Sequence, residues 1–146
     1  MKRIIYLVGF LTIIGFSSAN AQEQKTKGNV PKNISSAFSK MYPNVRNVKW
    51  EMEEGKYEGK FSMQGKSRSV QFNEEAGLVQ KEIYLKVSQL PKNVQNYLSK
   101  KYAGVQFEKA SEVTDAKGVK RYQAETKDKT VMFNAKGIFM KEEKGE

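Results

Sequence analysis

Histidine and cysteine are absent from all 146 residues, and aspartate occurs only at Asp115 and Asp128. Without imidazole or thiol the chain cannot assemble a Ser-His-Asp triad, a cysteine nucleophile, or a zinc site of nitrogen and sulfur ligands. A disulfide and a lipid-modified cysteine anchor are excluded by the same absence. Proline is scarce, at Pro31, Pro43 and Pro91 alone. No phosphate-cradling glycine loop and no dinucleotide fingerprint occurs. General acid–base catalysis leans on histidine, so the composition points away from an enzyme, and no catalytic residue, cofactor or metal is expected.

Long apolar runs are also lacking, with one exception at the N-terminus. Ile4 to Phe16 is almost wholly apolar, follows the basic pair Lys2-Arg3, and precedes the small-x-small triplet Ala19-Asn20-Ala21. This order predicts an export signal over residues 1–21, cleaved between Ala21 and Gln22. A membrane span needs about 20 apolar residues, more than this run supplies, so no transmembrane segment is expected in the mature form. The mature chain is then periplasmic or secreted. It keeps 125 residues, and its formal charge falls from +10 to +8 as Lys2 and Arg3 leave. Exported chains have access to disulfides; this one must rely on an ordinary apolar core.

What the sequence does contain is a segment written twice. Val30-Pro31-Lys32-Asn33-Ile34 aligns with Leu90-Pro91-Lys92-Asn93-Val94, and Ser39-Lys40, Tyr42 and Val45 recur 60 residues later. Val70-Gln71-Phe72-Asn73 returns as Val131-Met132-Phe133-Asn134. A repeat of this length marks a supersecondary unit. A unit of that size is marginal alone because it buries too little surface, so two are expected to pack as one domain. The boundaries that follow are a flexible leader over 22–29, a first repeat over 30–86 and a second over 87–146.

Each repeat opens with a predicted helix, its proline suited to the first turn. Ile34, Ala37, Phe38 and Met41 form one stripe; Val94, Tyr97 and Leu98 form the other, which weakens at Lys101. Alternation then predicts strands: Val48, Trp50 and Met52; Tyr57, Gly59, Phe61 and Met63; Val70 and Phe72; and residues 78–85. The second set falls over 106–113, 119–126, 130–134 and 138–141, with the charged tail from Lys141 expected to fray. Short connections favour antiparallel meanders. The fold class is therefore α+β: tandem α-β-β-β-β repeats, an antiparallel sheet with two helices on one face and a solvated opposite face.

Phe-Asn followed by Gly ends each third strand, at Phe72 to Gly77 and Phe133 to Gly137. Asn73, Glu74 and Glu75 have the oxygen chemistry of a calcium site, but Lys136 puts a cation in the second copy. A hairpin turn, with Asn bonding local backbone and Gly at positive φ, accounts for both copies. Trp50, the sole tryptophan, is either a core side chain or a partner anchor. Lys56, Glu58 and Lys60 alternate with Tyr57, Gly59 and Phe61, so they project from the solvated face and are candidate partner contacts. The lysines are dispersed among acids rather than clustered in a groove with stacking aromatics, which argues against nucleic acid.

The paired (Val/Leu)-Pro openings, Tyr42-Pro43 and Tyr102-Ala103-Gly104, Gly55-Lys56-Tyr57 and the two Phe-Asn turns resemble the PepSY-like family of exported bacterial proteins, also described as β-lactamase-inhibitor-like. The similarity spans residues 30–141, with Asn73 and Asn134 where that family shows Asp. It implies a β-lactamase-inhibitor-protein-like fold that presents a surface to partners, with no catalytic residues. The expected function is a non-enzymatic binding module for a protein or cell-envelope partner. An inhibitor of a periplasmic hydrolase, of protease or β-lactamase type, and an electrostatic binder of anionic polymers stand as alternatives.

Overall fold

The computed structural model describes residues 29–53 and 55–144. The export segment 1–21, its cleavage after Ala21, and the leader up to Gly28 lie outside these residues. In order, the chain forms α1 (Lys32–Met41), β1 (Val48–Glu53), β2 (Lys56–Met63), β3 (Lys66–Phe72) and β4 (Leu78–Leu85). A 3-10 turn (Val87–Gln89) leads to α2 (Lys92–Lys101), then β5 (Lys109–Asp115), β6 (Lys120–Glu125), β7 (Lys129–Asn134) and β8 (Phe139–Lys144). All eight strands join one antiparallel sheet in sequence order, β1 to β8, with α2 spliced between β4 and β5. No helix among the described residues is long and apolar enough to cross a membrane.

The register divides the side chains between two faces. Phe61, Val70 and Phe72 pack beneath Ile34 and Phe38 of α1, with Trp50, Tyr57 and Leu78 around them. Ala110, Ala124, Val131 and Phe133 pack beneath Val94 and Leu98 of α2, with Tyr97, Phe107 and Tyr122 around them. Both helices thus cover one face, each over its own apolar cluster. The helix stripes differ in one place from the sequence expectation. Met41 is 36% exposed, while Tyr42, just past the helix end, turns inward, its ring tilted against those of Phe61 at 4.6 Å and Phe38 at 5.3 Å.

Several other expectations are corrected. Pro31 and Pro91 sit one residue before the first helical turn, as caps whose carbonyls accept the Ser35 and Gln95 N–H groups at 3.0 Å. Strand β5 starts at Lys109 rather than Gln106, because Phe107 turns under Tyr102, 5.7 Å away, to close the second cluster. The tail does not fray at Lys141. Residues up to Lys144 pair with β7, and Glu142 accepts hydrogen bonds from Tyr102 Oη at 2.5 Å and Lys129 Nζ at 3.0 Å.

Each helix is tied to the last hairpin of its own half of the sheet. Asn33 Nδ2 donates to the Glu74 carbonyl at 3.1 Å, and Asn93 Nδ2 donates to the Lys136 and Gly137 carbonyls at 2.8 and 3.1 Å. The two turns are built alike, but the left-handed residue in the first is Ala76 (φ 64°) and not Gly77. Ala76 N–H bonds the Asn73 carbonyl as Gly137 N–H bonds that of Asn134. Glycine in the first copy is therefore displaced by one position, and Ala76 bears a conformation that disfavours a Cβ.

Two stability tests follow from this packing. Phe38→Ala and Leu98→Ala should each lower unfolding free energy by about 2–5 kcal/mol. Because one ladder unites the clusters, both variants should still melt in a single transition; two separated calorimetric transitions would show independent halves. Gly137→Ala should be more damaging than Gly65→Ala. Both glycines have φ near +71°, but a Cβ at 137 would meet the Asn93 amide at 2.5 Å, whereas one at 65 meets nothing within 4 Å. Equal melting temperatures would show that the Asn93 clamp yields freely.

Candidate functional site

The face away from the helices is the candidate surface. Partners in the ladder share a face, so Lys60, Ser69, Glu82, Val113 and Arg121 form one row across β2 to β6. Lys60 Nζ bonds Glu51 at 2.7 Å and reaches Glu58 at 3.2 Å. Burial alone would lower the Lys60 pKa, but the hydrogen bonds and charges of these two carboxylates overcome it and hold the ammonium above its ordinary value. Of the residues singled out in the sequence, Glu58 and Lys60 are brought together here, and Glu51 joins them. Lys56 stands on the same side at the start of β2.

Trp50 lies on the other side of the sheet. Its ring packs edge-on to Phe38 at 5.4 Å and covers Gly59, where an added Cβ would come within 3.0 Å of the indole. The missing side chain at position 59 is what lets the largest ring of the chain lie flat against the strand. Trp50 and the Lys56–Lys60 row are thus separated by the sheet itself.

The middle of the helix-free face is not the solvated surface expected from alternation. Ser69, Ser111 and Val113 are 4%, 2% and 1% exposed. Arg121 on β6 explains part of this: its Nη2 donates to Gln80 Oε1 on β4 at 3.0 Å, so its side chain crosses β5 beside Val113. Glu82 is drawn into the same region, where Ser69 Oγ contacts it at 3.4 Å. Burial raises the Glu82 pKa; nearby Ser111 and Ser69 oppose the rise, and the Glu125 and Glu58 charges add to it. The Tyr84 phenol is pushed up to about 12, first by burial and then by the Glu82 charge. Glu82, Tyr84 and Arg121 were not singled out in the sequence. For Glu82 and Tyr84 the signal was the alternation with Ile83 and Leu85, blurred by Lys81; nothing local to Arg121 marked it.

The Phe-Asn motifs form turns in which the amide oxygen is used internally. Asn73 Oδ1 accepts from Gly77 N–H at 2.6 Å, and Asn134 Oδ1 accepts from Lys136 and Ile138 N–H at 2.9 and 3.0 Å. Among the described residues no group of three or more acidic side chains is placed to hold a metal ion. Chemically the helix-free face offers paired charges, hydroxyls and amides held in fixed positions, which suits recognition.

Glu82 gives the face a pH signature. Its folded pKa lies above the ordinary 4.5, so over the pH window above that value the folded chain holds a proton that the unfolded chain releases, and stability falls as pH rises through it. Glu82→Gln should therefore raise the melting temperature at neutral pH, with the gain shrinking to nothing below pH 4.5, where both states are protonated. A gain that is the same at every pH would point to packing rather than to the carboxylate.

No protein-family model matches the chain, and no curated protein does. Solved structures do resemble it. A DUF2874 family protein from Bacteroides ovatus is 25% identical with a TM-score of 0.70, covering 80% of this chain and 89% of that one. A candidate periplasmic protein from Bacteroides eggerthii is 20% identical at TM-score 0.68, covering 80% and 90%. A BLIP-like protein from Bacteroides fragilis is 22% identical at TM-score 0.62, covering 80% and 89%. The α+β architecture, an eight-stranded antiparallel sheet with two helices, is thus shared with a BLIP-like protein and with proteins of the DUF2874 family.

Proposed function

We propose that this chain is an exported, non-enzymatic binding module that presents the helix-free face of its sheet to a protein partner in the cell envelope. The observation that carries this reading is the face itself. No described element covers it, yet the Lys60–Glu51–Glu58 cluster and the Arg121–Gln80 bridge hold its polar groups in place. Groups fixed before contact lose less conformational freedom on binding, which favours affinity at a polar interface. The export signal over 1–21 fits a place in the periplasm or outside the cell, as does the periplasmic description of one structural neighbour. We further read residues 30–86 and 87–146 as two PepSY-like copies of one unit within a single domain. Matching helix clamps and hairpin turns support that reading.

Inhibition of a periplasmic hydrolase is the second reading, favoured by the likeness to a BLIP-like protein. It would use the same face, with the partner an enzyme. Binding of anionic polymers through net charge is less well supported there, since the Lys60 cation on that face is already paired with acids.

Charge-matched substitutions separate these readings. Gln71→Arg with Gln123→Arg places bulk on the helix-free face; Ser36→Arg with Asn96→Arg places the same charge on exposed helix positions. Capture of the partner from envelope extract, identified by mass spectrometry, should drop with the first pair only and persist at high salt. Equal effects from both pairs would refute a face-specific interface. A steep loss with salt for the unaltered chain would favour polyanion binding.

A further inference from the structure

One end of the sheet holds a groove of about 950 Å³ with an unusual charge balance. Arg46, Lys49, Arg68 and Lys109 line it, with Val48 supplying apolar surface, and no carboxylate is among the described lining residues. None of these four cations makes an ion pair with a described residue. A fifth cation of the groove, Lys60, is paired with Glu51 and Glu58, and outside the groove Lys120, Lys129 and Lys141 have carboxylate partners. Four unpaired cations gathered in one groove repel one another, and a bound anion relieves that repulsion. Arg68 adds a second, independent sign. Its Nε is buried without a hydrogen-bond partner, a costly state that a bound acceptor would end.

The shape of the groove narrows the class of anion. Its lining comes from the same end of five successive strands, β1 to β5. At the ordinary spacing between strands this is a length of about 19 Å, which an extended chain covers in about six residues. A single phosphate or carboxylate cannot span it. Tyr84 lies in the groove as a donor that keeps its proton, since burial pushes its phenol up to about 12.

We propose that this groove binds an extended acidic peptide segment of about six residues, its carboxylates paired with Arg46, Lys49, Arg68 and Lys109 and its apolar side chains resting on Val48. The proposal takes from the binding-module reading only that the partner is a protein. The site lies at the end of the sheet, and Gln71, on the helix-free face, is not among its lining residues.

The probe is a fluorescein-labelled hexapeptide of alternating Glu and Leu, titrated with the purified chain by fluorescence anisotropy. A hexapeptide with Lys in place of Glu, and inorganic polyphosphate, serve as comparison ligands. The acidic peptide should bind and the basic one should not. Lys49→Gln with Lys109→Gln should weaken binding roughly tenfold, the effect of losing two exposed ion pairs. Lys100→Gln with Lys101→Gln on α2 removes the same charge and should leave affinity unchanged. Both lysines of the groove pair are exposed, so the variant is expected to fold, and its melting temperature checks that it does. A Gln71→Arg chain should bind the peptide as the unaltered chain does, so partner capture that persists in it with peptide binding intact would count against the face reading alone. Equal weakening by both lysine pairs, no preference for the acidic peptide, or binding of polyphosphate without the peptide would each overturn the proposal.

Discussion

The ladder between β4 and β5 holds the molecule together. Gln80 to Leu85 pairs residue for residue with Asp115 to Ala110, although a 3-10 turn and the whole of α2 intervene in the chain. On the helix side this seam carries Lys81, Ile83, Glu112 and Thr114, so neither apolar cluster extends fully across it. Backbone hydrogen bonding therefore does at the seam what side-chain packing does on either side. Each half has only one helix to cover its strands, and a unit of that size buries too little surface to stand well alone. Pairing at the seam also shields β4 and β5 from being edges.

That seam also sets the character of the helix-free face. Glu82 and Tyr84 on β4 and Ser111 and Val113 on β5 lie at the centre of the sheet, farthest from both edges. Side chains there are hemmed in by neighbours on four strands. Small residues vanish from solvent, and a carboxylate loses hydration, which is why Glu82 titrates high. Toward β1 the same face opens, and Glu51 and Glu58 more than offset the burial of Lys60 and hold its ammonium above its ordinary value.

Much of the helix and strand order could be read from apolar periodicity, because both helices bury the same two positions, Ile34 and Phe38 in one and Val94 and Leu98 in the other. The boundaries failed where a single side chain outweighed local pattern. Phe107 leaves the strand register to fill a gap, and Tyr42 displaces Met41 from the core. Lys141 to Lys144 carry four charges in a row, which reads as a loose tail until Tyr102 and Lys129 are seen to hold Glu142. Of the candidate surface, alternation placed Glu58 and Lys60 on their face. It could not reveal that Arg121 reaches over β5 to Gln80, since that contact joins residues 41 apart in sequence. The groove was equally invisible, because its unpaired cations come from a loop and three separate strands.

The charged run of β8 has a meaning beyond its bonds to β7. As the last strand, β8 presents an open row of backbone donors and acceptors to any passing chain. Charged, solvated side chains along such an edge, Lys141 to Lys144, discourage a neighbour from docking there. Beneath it lies Thr130-Val131-Met132-Phe133, uncharged, rich in strand-forming residues and free of proline, the composition of a segment prone to cross-β stacking. A protease that clipped the chain after Gly137 would remove the guard and bare that segment. The terminal strand thus protects solubility as well as closing the fold.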